Sequence, residues 1–235
     1  MKSFHNDFWR RAFPFLRSLL DLFFTPCCAI CGCRLSRSER EICPTCYVQI
    51  PLYCCAEAYR MERLEGEAYI ADFHSLFVFR HGNYTQRLIH ALKYHGRRGV
   101  GIELGRIAAR RFGWSPETID LIIPVPISPN RRRQRGYNQA FCIAEGISRQ
   151  TGIPADDRIL YRRSGHVTHT RLSRDKRLSS IADAFVCRCP SELRGKRVLI
   201  VDDVLTTGAT LTELAAMLVR AGCGHIEAFT LAVSR

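Results

Sequence analysis

Val198–Thr210 reads VLIVDDVLTTGAT. A hydrophobic strand delivers two acids, then a loop of small residues, then the start of a helix. Backbone N–H groups of Thr206, Thr207, Gly208, Ala209 and Thr210 can wrap one phosphate at the helix N-terminus, where the helix dipole is positive. Gly208 permits close backbone approach, and Thr206, Thr207 and Thr210 add hydroxyl donors. Asp202 and Asp203 stand one step earlier, placed to accept hydrogen bonds from sugar hydroxyls. The segment therefore reads as a holder for a phosphorylated sugar. It is not a Walker loop, because GxxxxGK[ST] is absent. An Asp-Asp metal site at a strand end would account for the acids but not for the loop.

Outward from this segment the chain alternates strands and helices. Lys196–Asp202 and Ile226–Val233 read as strands, with a helix over Leu211–Ala221 between them. Upstream, Ser75–Arg80 reads as a strand, Tyr84–Tyr94 and Val100–Phe112 as helices, and Asp120–Ile127 (DLIIPVPI) as a buried strand ending in a Pro-Val-Pro turn. Asn138–Thr151 reads as a helix closed by Gly152. Residues 56–75 look like a connector, and Arg162–Ser180 has no apolar periodicity and reads as a long loop. This order implies an α/β fold: a parallel sheet with helices on its faces. With 46% hydrophobic and 24% charged residues over 235 positions, the chain can bury a core and is neither disordered nor fibrous.

Eight of the twelve cysteines fall between Cys27 and Cys55. The apolar stretch Ala12–Phe24 carries Arg17 and Asp21 and lacks a small-residue cleavage site, so it reads neither as a signal peptide nor as a membrane span. A reducing compartment is then expected, where clustered cysteines serve metals rather than disulfides. Cys28-x2-Cys31 and Cys43-x2-Cys46 form a doubled CxxC with Gly32 at the first turn. Four thiolates at these positions predict a closed, structural Zn²⁺ site; Cys27 and Cys33 stand close enough in sequence to replace one ligand. Cys142, Cys187, Cys189 and Cys223 are isolated and read as core residues.

Thirty-five basic residues oppose 22 acids, and 31 of the basic ones are Arg. Residues 131–177 hold 12 Lys or Arg against four acids. The guanidinium fork grips phosphate in two places, so Arg131, Arg132, Arg133, Arg135, Arg171, Arg174 and Arg177 are candidates for contact with single-stranded DNA, with Tyr137 and Tyr161 available to stack bases. The competing reading has these arginines lining a pyrophosphate pocket or simply facing solvent. The domain plan is a 1–24 amphipathic N-terminal helix, a 25–60 cysteine module, and a 61–235 α/β domain. The N-terminal aromatic stripe packs on the body or docks on a partner or membrane surface.

The 13 residues from Val198 to Thr210 resemble the phosphoribosyl pyrophosphate signature of type I phosphoribosyltransferases. Asp120–Gln139 (DLIIPVPISPNRRRQRGYNQ) resembles the D-x-I-x-P-V-P…R-G-x-N-Q stretch of the ComF family, also called the GntX or amidophosphoribosyltransferase-like family. Leu92-Lys93-Tyr94 resembles that family's L-K-Y segment, and the CxxC pairs its amino-terminal zinc finger. Thr168, Arg177, Ala184 and Phe185 resemble a further family pattern, with Arg171 in place of Gln and Ser180 in place of Asn. The resemblance implies that Asp202 and Asp203 hold ribose hydroxyls, that the 206–210 loop holds the 5′-phosphate, that Lys93 is a second cation, and that Mg²⁺ accompanies the pyrophosphate. It also implies a cytoplasmic role in natural transformation, handling single-stranded DNA beside an uptake helicase, with membrane association only through partners. Purine-salvage members of the superfamily carry an Asp base where this chain has Thr206. Two readings stay open: a phosphoribosyltransferase-fold protein of DNA uptake, and a Mg²⁺-dependent transferase with an unknown acceptor.

Overall fold

The computed structural model describes residues 26–53, 69–163 and 185–234. The expectations for residues 1–24, for Arg171, Arg174 and Arg177, and for Thr168, Ser180 and Ala184 fall outside them, as do Cys54 and Cys55. The chain divides into two compact units, Met1–Gln49 and Ile50–Arg235. In the first, an antiparallel bridge joins Cys27 to Arg34, and a one-turn helix α1 (Pro44–Tyr47) starts with proline at its first position. Ile30, Leu35 and Ile42 are its buried apolar side chains beside the cysteines.

The second unit holds β1 (Asp72–Phe79), α2 (Tyr84–Tyr94), α3 (Arg98–Phe112), β2 (Leu121–Pro124), α4 (Pro129–Arg135), α5 (Gln139–Thr151), β3 (Leu160–Arg162), β4 (Phe185–Cys187), β5 (Arg197–Leu205), α6 (Ala209–Arg220) and β6 (His225–Ser234). Four strands form a parallel sheet in the order β1-β6-β5-β2. β3 and β4 form a separate antiparallel pair. Strands covered on both faces need apolar side chains on both, and β5 obeys this: Val198, Leu199, Ile200 and Val201 are all fully buried. The same is true of Ala228, Phe229, Thr230, Leu231 and Ala232 in β6. Because the strands run parallel, Phe79, Pro124, Leu205 and Ser234 end on one edge of the sheet, the edge where open α/β sheets bind ligands.

Capping explains where the helices begin. The Asn83 side chain accepts from Gln86 N–H (3.1 Å), and the Asn138 side chain accepts from Ala140 N–H (3.1 Å). α3 and α5 pack closely through Gly105 and Gly146: a Cβ on either would press into the partner helix's backbone.

At the opposite edge, the N-terminal ends of β1 and β6 carry a polar cluster. Glu227 Oε2 lies 3.2 Å from His74 Nε2 and accepts from Trp114 Nε1 at 3.0 Å, while Oε1 lies 3.3 Å from His225 Nε2. The bond to His74, assisted by Trp114 and His225, overcomes burial and holds the Glu227 carboxyl at about 2. A carboxyl held below its ordinary value of 4.5 stabilises the fold fully above that value and loses this contribution as pH falls toward 2. Thermal melts followed by circular dichroism should show wild type losing stability across this window and Glu227→Gln losing less. The same acid slope in both proteins would discard the assignment.

Candidate functional site

β5 changes character at its C-terminal end. After four buried apolar residues, Asp202, Asp203 and Val204 are only partly buried. The loop that follows ends at Gly208, which has φ +82°, a left-handed conformation suited to glycine. Gly208 is the N-cap of α6 and, being glycine, brings no side chain of its own to the first N–H groups of that helix. Thr206 and Thr207 are exposed on this loop.

A cleft of about 470 Å³ opens here. Asp202, Asp203, Thr206 and Thr210 line it from β5 and α6, and Lys93, Arg131, Arg135 and Arg162 bring positive charge from three other elements. Lys93, in the last turn of α2, places Nζ 2.9 Å from Asp203 Oδ1. Asp203 N–H donates to Asp202 Oδ1 at 2.7 Å. Burial, then the Asp203 charge, pushes Asp202 up to about 7. Phe79, Ile89, His90 and Tyr94 line the cleft as well, with the His90 and Tyr94 rings edge to face at 5.4 Å. Sequence reasoning found the loop, the acids and Lys93. His90 and Phe79 carry no motif of their own, and Tyr94 figured only as the last residue of the L-K-Y segment.

The arginine stretch forms the short helix α4. The Ser128 side chain accepts from Arg131 N–H at 3.3 Å, and Gly136 closes α4 in a left-handed conformation. Arg131 and Arg135, four apart and hence on one face, line the cleft. Arg132 does not; it reaches Asp157 at 3.4 Å. Arg133 bonds to Asn130 on the exposed side. Tyr137, expected to stack bases, is instead buried with its hydroxyl donating to the Leu92 carbonyl, because the turn after Gly136 directs it into the core. Tyr161 is only partly buried.

In the first unit, Cys28, Cys31, Cys33 and Cys43 bring their sulfurs within 4.8 Å of one another, a set that could hold a metal ion. Cys31 and Cys43 sulfurs lie 3.8 Å apart. Cys28 Sγ accepts from the N–H groups of Ile30 (3.5 Å) and Cys43 (3.4 Å). Burial opposes its ionisation, but hydrogen bonds from backbone N–H groups outweigh burial and hold the thiol below its usual range. Cys33 enters the set because the turn at Gly32 folds it back, its carbonyl accepting from Cys28 N–H at 2.8 Å. Cys46, expected as the fourth ligand, is buried, but its sulfur is not among the four that lie within 4.8 Å of one another. Cys142 is fully buried, whereas Cys187, Cys189 and Cys223 are only partly so.

The family model described as the phosphoribosyl transferase domain matches residues 138–235. The chain is 28% identical over 215 residues to the DNA utilization protein YhgH of Escherichia coli, covering 87% of this chain and 88% of that one. It is 37% identical over 114 residues to competence protein F of Haemophilus influenzae, covering 48% of this chain and 50% of that one. With competence protein ComFC of Bacillus subtilis the identity is 21% over 206 residues, covering 87% and 82%.

Proposed function

Because the chain belongs to the ComF family, proteins built on a type I phosphoribosyltransferase domain, we propose that it binds phosphoribosyl pyrophosphate or a related phosphorylated ribose and acts in DNA uptake. The observation that carries the first half is the cleft that joins Asp202 and Asp203, the start of α6 behind its Gly208 N-cap, and four cationic side chains. The N–H groups of 206–210 take the 5′-phosphate. The ribose hydroxyls bond to Asp202 and Asp203, sharing Asp203 with Lys93. Arg131 and Arg135 face the pyrophosphate. Mg²⁺, bound together with the pyrophosphate, would neutralise its charge, and the two carboxylates are the hard oxygen donors it takes. Titration calorimetry of Mg²⁺–phosphoribosyl pyrophosphate should show Asp203→Asn binding at least about tenfold more weakly, the worth of a hydrogen bond to a charged group. Gly208→Val, which forces a β-branched residue into the left-handed region, should abolish binding. Equal affinity in wild type and Gly208→Val would remove the loop from the site.

One observation favours the transferase alternative. Thr206 offers no base, but His90 lines the same cleft and could accept a proton from an acceptor seated against Tyr94. Phosphoribosyl transfer to such an acceptor would then be the reaction.

The second half rests on the relatives' roles in DNA utilization and competence and on the arginines. Single-stranded DNA is the proposed polymer, delivered by a helicase of the uptake machinery. Its affinity should fall with salt by a log–log slope of about −0.7 per phosphate neutralised. A quadruple Arg131/Arg132/Arg133/Arg135→Ala variant that binds DNA as tightly as wild type at every salt concentration would show these arginines to be a solvated face.

The thiol cluster is proposed to hold one structural Zn²⁺, since close, partly buried sulfurs are the donor set this ion takes. Spacing names Cys46 as the fourth ligand beside Cys28, Cys31 and Cys43; mutual distance names Cys33. Elemental analysis should give about one zinc per chain, lost in Cys28→Ser. The paired variants Cys33→Ser and Cys46→Ser then identify the fourth ligand. Zinc-free protein with an unchanged melt would end the claim.

A further inference from the structure

A second cleft, of about 540 Å³, shares Pro126, Ile127 and Arg162 with the first and is otherwise separate. Besides Arg162, it is lined by Arg132, Arg158, Arg163 and Arg188, with Asp157 the one acid in its wall. Two of these cations are already engaged: Arg132 with Asp157 at 3.4 Å and Arg158 with Asp156 at 2.8 Å. Arg163 and Arg188 make no ion pair among the described residues. A wall with such an excess of guanidinium groups selects an anion.

The β3–β4 pair arranges these groups. Tyr161 pairs with Val186, and Arg188 N–H donates to the Ile159 carbonyl at 2.9 Å. Arg188 is thus diagonal to Tyr161 on the same face, and its guanidinium lies 4.7 Å from the Tyr161 ring centre. Arg163, the residue after β3, lines the same cleft as Tyr161 and Arg188. A stacked guanidinium and phenol make a flat, rigid platform, the surface on which a nucleobase stacks irrespective of its identity. The neighbouring Arg163 guanidinium fork suits a phosphate. A mononucleotide falls within the range of ligands that pockets of this size enclose.

We propose that this second cleft binds one nucleoside phosphate unit, its base against the Tyr161–Arg188 platform and its phosphate on Arg163. The unit is either a free nucleotide or one residue of a single strand. The assignment does not rest on phosphoribosyl binding in the first cleft; a strand as the source would deepen the DNA reading.

The full chain would be titrated with AMP, with a deoxyadenylate decamer and with inorganic phosphate, in wild type, Arg163→Ala/Arg188→Ala, Tyr161→Leu and Gly208→Val, all checked for an unchanged melt. The expected result, measured with the first cleft saturated by Mg²⁺–phosphoribosyl pyrophosphate so that AMP cannot occupy it, is AMP or decamer binding that falls at least tenfold in the double Arg variant, falls at least threefold in Tyr161→Leu, and is unchanged in Gly208→Val. Binding of AMP with no binding of the decamer identifies a free nucleotide; the reverse identifies a strand. If Tyr161→Leu fails to fold, Arg188→Lys replaces it, keeping the charge while losing the planar stack. The proposal is overturned by equal affinity in the double Arg variant, by loss of binding in Gly208→Val, by phosphate binding as tightly as AMP, or by no binding of either nucleotide probe at millimolar concentration. Phosphoribosyl pyrophosphate titrated alongside reports on the first cleft alone: its failure with AMP binding retained would sink that reading and leave this one.

Discussion

The hydrogen bond from Val125 N–H to the Val201 carbonyl, 2.8 Å long, is the rung on which the ligand edge depends. Pro124 and Pro126 flank Val125 and cannot donate to a ladder. The pairing of β2 with β5 must therefore stop here, and the chain must turn away beside Asp202. The other backbone group of Val125 is also held: its carbonyl accepts from Asn138 Nδ2 at 3.0 Å. The same asparagine caps α5 through its Oδ1. One side chain thus fixes the end of a strand to the start of a helix. The intervening segment, which includes α4, becomes a closed loop with both ends anchored. Net gains of such bonds are small, about 1 kcal/mol each; their importance lies in leaving the turn one geometry.

That anchoring decides how the arginines are shared. α4 buries none of its residues and has no core to orient it. Its rotation is set by the Ser128 cap, the Gly136 exit and the anchored ends. The result sends Arg131 and Arg135 toward the carboxylates and Arg132 to the second cleft. Arg162 stands between, lining both clefts, and burial draws its pKa downward. It still stays charged, because no ordinary environment deprotonates a guanidinium. With Lys93 on Asp203 and Asp202 raised by burial, the negative charge of the first cleft is largely answered before a ligand arrives. Arg131, Arg135 and Arg162 remain, and they leave the cleft wall with an excess of positive charge.

The ends of α2 at Tyr84 and Tyr94 and of α5 at Thr151 were legible, because capping residues and apolar spacing act over a few neighbouring positions. The strand ending at Asp202 was legible as a buried apolar run, though it continues to Leu205 in contact with β6. α4 was not legible: RRRQR has no apolar period, and only its caps make it a helix. The β3–β4 pair was missed as well, since three residues a side are too few to show alternation. Tyr137 looked like an exposed aromatic among arginines, yet it supports the core beneath Leu92.

The sequence by itself determined the parallel α/β architecture, the small-residue loop with its two preceding acids, and a thiol cluster. Each of these is chemistry written in residues that are neighbours along the chain, so local pattern suffices to read it. Only the tertiary structure decided that Lys93 meets Asp203, that Cys33 joins Cys28, Cys31 and Cys43, and that His90 and Tyr94 help to line the first cleft. It alone stacked Arg188 on Tyr161 to make a second cleft. Those outcomes depend on sheet register and on anchored turns, which bring together segments far apart in sequence, and no spacing along the chain encodes a distance across it.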